Sequence, residues 1–229
     1  ISEDMQICAD EGIQIFGGMG FSADAPIESA WRDARIGRIY EGTNEINRML
    51  IIGMLLKKAM KGNLDIMTPY QNILNKEPLS IDEKCDDFGD EIILVENIKK
   101  IFLLLLGKAF EKYGPEIDKN QQVLLSLSDL AIEAYLSEST LKRTIKNINR
   151  TSHEDQYDQI NMTKLYIYEA CQIVLKKSTD VVNSIVDTES QDKILSSITN
   201  RLKYRKNPNV FELKTKIADK IISENKYCF

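Results

Sequence analysis

Apolar side chains recur every three to four residues along most of this chain, and no stretch alternates apolar and polar residues as a half-buried β-strand does. This spacing is typical of amphipathic helices. Near the N-terminus it predicts helices over 3–16, 26–36 and 44–61. Later it predicts helices over 90–113, 120–148, 154–186, 190–205 and 209–225. We therefore expect an all-α protein with a helical bundle.

Glycine, proline and threonine mark the predicted helix ends. Gly17 and Gly18 stop the first helix, Pro26 opens the second, and Thr43 is placed to cap the third. Residues 63–89 contain prolines and an acidic run, which is typical of a linker with at most one short helix. The predicted organisation is a first domain over 1–62, a linker over 63–89, and a helical bundle domain over 90–229.

Composition and charge exclude several classes of protein. The chain has 229 residues, of which 43% are hydrophobic and 28% charged, and its formal net charge is -5. That balance is typical of a soluble globular protein and speaks against nucleic-acid binding. The longest apolar run, 101–106, is far too short to span a bilayer, and the 63–89 segment is acidic, so we expect a soluble cytoplasmic protein without membrane association. Four dispersed cysteines and one histidine predict buried or partly buried thiols and no metal site.

Three short stretches carry the candidate chemistry: QIFGGMGF at 14–21, RDAR at 32–35 and YEGTNEINR at 40–48. Each alone is ordinary, since such sequences also form helix ends, surface ion pairs and helix entries. In this order and at this spacing they resemble the C-terminal signature of the acyl-CoA dehydrogenase family. Residues 120–143 and 164–175 are similar to the helical domain that very-long-chain members append to the common core.

The resemblance implies an oxidoreductase that uses FAD to convert fatty acyl-CoA thioesters to 2-enoyl-CoA in fatty-acid β-oxidation. Such a reaction needs a base for the α-proton while a hydride leaves the β-carbon for the flavin. A carboxylate serves as that base when burial raises its pKa from about 4 towards working pH. The family's catalytic glutamate corresponds to Glu41 here.

The other site residues follow from the same resemblance, position by position. Gln14 and Gly18 correspond to contacts with the FAD of a neighbouring subunit, which implies a homodimer. Thr43 and Glu45 correspond to further FAD contacts. The resemblance also assigns substrate binding to Tyr40 and Gly42, and for Tyr40 a core aromatic residue is an equal alternative. The expected electron acceptor is an electron-transferring flavoprotein.

Two interpretations of the whole chain remain open. The first is the C-terminal portion of a longer enzyme, since nothing in the chain resembles the family's β-domain. Alone, such a portion is expected to be inactive and to hold no FAD tightly. The second is a non-catalytic helical interaction or dimerisation module that retains the motifs, because 90–229 contains no catalytic constellation.

Overall fold

A computed structural model describes residues 1–75, 88–148 and 157–226 of the chain, and within these ranges it is helical with no β-strand. The prediction of an all-α protein is confirmed. The α-helices are α1 Ser2–Phe16, α2 Pro26–Ile36, α3 Asn44–Met60, α4 Met67–Asn75, α5 Gly89–Tyr113, α6 Gln121–Ile148, α7 Tyr157–Ile185, α8 Thr188–Arg201 and α9 Val210–Glu224. Two 3₁₀-helices, Gly17–Phe21 and Gly114–Lys119, follow α1 and α5.

The chain folds as two compact units, Ile1–Ile51 and Ile52–Phe229. In the first unit α1 packs against α2 and against the 3₁₀-helix that follows α1. In the second unit α5, α6 and α7 pack on one another, and α7 also carries α8 and α9. The division into 1–62, 63–89 and 90–229 stays a prediction.

The core of the second unit is a continuous layer of aliphatic side chains from the three long helices. Its fully buried members include Ile98, Leu105, Leu127, Ile167 and Val174. Burying each such side chain contributes roughly 1.5–3 kcal/mol, so this layer dominates the stability of the bundle.

Helix α4 lies within the segment predicted to be a linker, and it is packed rather than free. Its Tyr70 is 1% exposed. The ring lies over Gly107 of α5, where a hydrogen atom in place of a side chain lets the two helices approach closely. The residues between α4 and the start of α5 lie mostly outside the described ranges.

Helix α8 ends four residues earlier than predicted, at Arg201 rather than 205. Contacts with α5 explain the difference. Asn97 Nδ2 donates to the Arg201 carbonyl oxygen at 2.8 Å, and the Arg205 backbone N–H donates to Asp90 Oδ2 at 3.1 Å. Tyr204 is buried beside them. These long-range bonds hold the chain in a non-helical path that the local sequence does not specify.

Cys8 is exposed and Cys171 is buried, both as free thiols, whereas Cys85, Cys228 and His153 lie outside the described residues. Cys171 agrees with the predicted burial of the thiols, and Cys8 departs from it because its side chain lies on an exposed face of α1. In the ranges that the structure covers, no helix is long and apolar enough to cross a membrane. The same ranges contain no cluster of acidic, histidine and cysteine side chains suited to a metal ion.

Candidate functional site

The connection between α2 and α3, residues 37–43, is here called the Glu41 loop. Glu41 has a φ of 58° and Gly42 a φ of 82°, so two successive residues adopt the left-handed region. Glycine does so freely, whereas for glutamate it costs about 1–2 kcal/mol. The Glu41 side chain is exposed. An unfavourable backbone conformation that presents a carboxylate to the surface is a feature typical of functional sites.

Three hydrogen bonds hold the loop in this shape. The Asn44 backbone N–H donates to the Arg38 carbonyl oxygen at 3.2 Å and so closes the loop. Asn47 Nδ2 donates to the Gly42 carbonyl oxygen at 2.9 Å. Thr43 Oγ1 accepts from the Ile46 backbone N–H at 3.3 Å, which confirms the predicted cap of α3.

The start of α1 anchors both ends of the loop. Ser2 Oγ donates to Asn44 Oδ1 at 3.1 Å. Arg48 Nη2 donates to Glu3 Oε2 at 2.5 Å, and Arg38 Nη2 lies 3.9 Å from Glu3 Oε1. The hydrogen bond from Arg48 lowers the pKa of Glu3 and outweighs the burial that would raise it. Glu3 is therefore a charged group between two arginines.

Glu45 and Tyr40 flank Glu41 on the outside of the first unit. The Glu45 side chain is exposed, and hydrogen bonding to its own backbone N–H and then to Thr43 lowers the pKa of Glu45. Tyr40 is 58% exposed. Five of the seven predicted site residues thus lie together around the N-terminus of α3: Tyr40, Glu41, Gly42, Thr43 and Glu45.

Gln14 and Gly18 lie elsewhere, Gln14 in the last turn of α1 and Gly18 in the 3₁₀-helix that follows it. Glu3 and Gln14 are eleven residues apart on this helix, which corresponds to about 17 Å along its axis. Both predicted residues are exposed. A Cβ added to Gly18 would meet no atom within 4 Å. The surrounding turn exposes three large apolar side chains, Phe16 at 61%, Met19 at 64% and Phe21 at 76%.

The chain is similar in sequence and in structure to known proteins of one family. Two family models, both described as "Acyl-CoA dehydrogenase, C-terminal domain", match residues 1–56 and 97–200. A crystal structure of an acyl-CoA dehydrogenase complexed with FAD from Bacillus anthracis superposes with a TM-score of 0.94 at 34% identity, over 100% of this chain and 39% of that chain. This chain belongs to the acyl-CoA dehydrogenase C-terminal domain family.

Two further relatives show how far this family resemblance extends. A probable acyl-CoA dehydrogenase of Bacillus subtilis is 33% identical over 229 residues, which is 99% of this chain and 38% of that protein. The mitochondrial short-chain specific acyl-CoA dehydrogenase of Sus scrofa is 52% identical over 56 residues, 24% of this chain and 14% of that protein. The chain thus spans about two fifths of the length of the relative that matches it throughout.

The dehydrogenase signature does not indicate which side chains hold the Glu41 loop. Glu3 and Ser2 precede the signature, and their partners lie 45 and 42 residues away in the sequence. Asn47 and Arg48 lie within the YEGTNEINR stretch, but nothing in that stretch indicates which of its polar residues turns back towards the loop. Only the fold of the first unit brings these partners together, through side-chain bonds between α1 and the start of α3.

Proposed function

We propose that this chain is the C-terminal part of an FAD-dependent acyl-CoA dehydrogenase of fatty-acid β-oxidation. The reaction is the α,β-dehydrogenation of a fatty acyl-CoA thioester to the 2-enoyl-CoA. Glu41 is the base that removes the α-proton. The observation that carries this proposal is the Glu41 loop itself, which presents an exposed carboxylate from a costly left-handed backbone held by surrounding hydrogen bonds.

The chain's own groups have distinct tasks in this reaction. When bound, FAD supplies the acceptor for the hydride that leaves the β-carbon. Glu41 takes the α-proton on a carboxylate oxygen, so its position relative to the α-carbon decides the rate. The carboxylate is exposed in this chain. A thioester that covers it would remove water from the carboxylate and strengthen it as a base.

The residues at the end of α1 fit one edge of a flavin cofactor. Gly18 leaves open space beside its backbone, and the exposed apolar turn of Phe16, Met19 and Phe21 offers a surface on which an extended ligand can pack. Gln14 adds an exposed amide that can donate and accept hydrogen bonds. Thr43 and Glu45 are the other two proposed FAD contacts, and they lie at the start of α3.

A homodimer accounts for the separation of these two groups of residues. Gln14 and Gly18 lie at one end of α1, whereas the Glu41 loop is anchored to the other end. A two-fold axis would let one end of α1 serve its own subunit's site and the opposite end serve the partner's. The expected electron acceptor is an electron-transferring flavoprotein, and the expected location is the cytoplasm.

We also propose the very-long-chain subtype, with 90–229 as the appended helical domain. Two observations support it. The second family model matches 97–200, which lies within the bundle, and the Bacillus subtilis relative remains similar across the whole chain. The short-chain relative from Sus scrofa, in contrast, matches only 56 residues.

Glu41→Gln in the full-length enzyme tests the assignment of the base. The two side chains are nearly isosteric, so fold, FAD content and substrate binding should be retained. Flavin reduction in a single turnover should fall by about 100- to 10,000-fold because the proton acceptor is lost. The rate is measured directly by mixing the enzyme rapidly with an acyl-CoA and monitoring the loss of flavin absorbance.

Glu11→Gln is the matched control, because Glu11 is an exposed carboxylate on α1 outside the loop. The flavin of this variant should be reduced by substrate at the wild-type rate. If Glu41→Gln also bleached at nearly the normal rate, Glu41 would not be the base. The alternative, a non-catalytic interaction module, would then gain support.

A further inference from the structure

Glu3 spans the two ends of the Glu41 loop. One carboxylate oxygen accepts the hydrogen bond from Arg48, which follows the loop in α3, and the other faces Arg38, which lies within the loop before Glu41. The neighbouring Ser2 bonds to Asn44, where α3 begins. A single turn of α1 therefore ties together the segments that enter and leave the loop.

The three charged side chains of this contact are partly buried. The Arg48 side chain is 19% exposed, and those of Glu3 and Arg38 are 37% and 35% exposed. Partial burial weakens the solvent screening that makes fully exposed pairs nearly neutral in energy. Glu45 also interacts electrostatically with both arginines, and Glu3 is placed within 4 Å of each of them in this contact. Removing the Glu3 carboxylate therefore weakens the attraction that draws the two loop ends together.

The loop is expected to change conformation when the ion pairs of Glu3 are lost. The left-handed conformation of Glu41 is unfavourable for a residue with a side chain and persists only where its surroundings enforce it. A displacement of the base by about 1 Å can slow an enzymatic reaction about 100-fold.

We propose that Glu3 is a positioning residue for α-proton abstraction: its ion pairs with Arg48 and Arg38 hold the loop so that the Glu41 carboxylate meets the substrate's α-carbon. This inference rests on the proposed function of Glu41. Glu3 itself touches neither substrate nor cofactor in this scheme, and its whole effect on the reaction passes through Glu41.

Glu3→Gln in the full-length enzyme removes the charge and keeps the size of the side chain. The rate of flavin reduction in a single turnover should fall about 10- to 100-fold, whereas FAD content and substrate affinity should stay within about twofold of normal, since positioning affects the chemical step. Glu28→Gln is the matched control. It removes the carboxylate of the Glu28–Arg32 pair on α2, in the same unit but away from the loop, and should leave the rate unchanged.

A double-mutant cycle with Glu41→Gln separates positioning from general destabilisation. If Glu3 acts through Glu41, adding Glu3→Gln to Glu41→Gln should cause no further loss, because there is no base left to misplace. Equal fold losses in both backgrounds would overturn the inference, as would a normal rate for Glu3→Gln alone. A near-normal rate for Glu41→Gln would instead refute the proposed function.

Glu3→Asp keeps the test decisive if Glu3→Gln loses its FAD or fails to fold. Aspartate retains the negative charge but is one methylene shorter, so it can hold Arg48 less well. Its rate should lie between those of the wild type and Glu3→Gln, again with no added loss in the Glu41→Gln background. A Glu3→Asp rate equal to the wild type would show that the geometry of this pair does not position the base.

Discussion

Gly107→Ala tests the packing of α4 on α5, in a segment that the sequence alone predicted to be a linker. A Cβ at position 107 would lie 2.5, 2.6 and 2.7 Å from three ring atoms of Tyr70. Ordinary carbon contacts are about 3.5–4.0 Å, so the overlap is about 1 Å. Because Tyr70 is 1% exposed, its ring cannot turn out into solvent, so the ring and the two helices must shift within the core to relieve the overlap.

The expected loss follows from two opposing effects. Overpacking of this kind costs about 1–3 kcal/mol, and the severity of the overlap favours the upper end. Alanine is about 1 kcal/mol better than glycine inside a helix, which offsets part of that cost. The net loss should be about 2 kcal/mol, or about 4–8 °C in the melting temperature of a chain of this size.

The change in the free energy of unfolding is measured by urea unfolding of the purified chain, monitored by circular dichroism. Gly53→Ala in α3 is the control, because a Cβ there would meet no atom within 4 Å. It should be neutral or stabilising by up to about 1 kcal/mol. Replacing Tyr70 by leucine should reduce the cost of Gly107→Ala. If Gly107→Ala were as stable as Gly53→Ala, the close approach of α4 to α5 would be refuted.

Two further predictions concern the pH response of the bundle and the cofactor. Burial raises the pKa of Glu91, which is 4% exposed, so the folded state holds this proton more tightly than the unfolded state. The protonated Glu91 carboxyl stabilises the fold below its unfolded pKa of about 4.3, and this stabilisation is lost as the pH rises through its pKa in the folded state. Glutamine stays neutral at every pH, so Glu91→Gln should raise the melting temperature at pH 7 but not at pH 4. The isolated chain should purify colourless, because the proposed cofactor contacts form only one edge of a flavin site; bound flavin absorbance would contradict this.

Local sequence accounts for the helical elements and most of their ends. Helix α2 spans Pro26–Ile36 as predicted, and the α3 start after Thr43 is also as predicted. Both depend on short-range chemistry, since a proline at the first helical position and a threonine cap act within one turn of the backbone. The family, too, is indicated by residue order alone, because its signature lies in three short stretches within the first 48 residues.

Packing of the folded chain, in contrast, sets how the loop is held and which helices touch. The bond between Arg48 and Glu3 joins residues 45 apart, and the early end of α8 depends on Asn97, 104 residues from Arg201. Tyr70 and Gly107 likewise meet only because α4 folds onto α5. Periodicity shows that a helix has an apolar face, but not which residue of a distant helix will lie against it. That choice is made by side-chain shape and charge after the chain has folded.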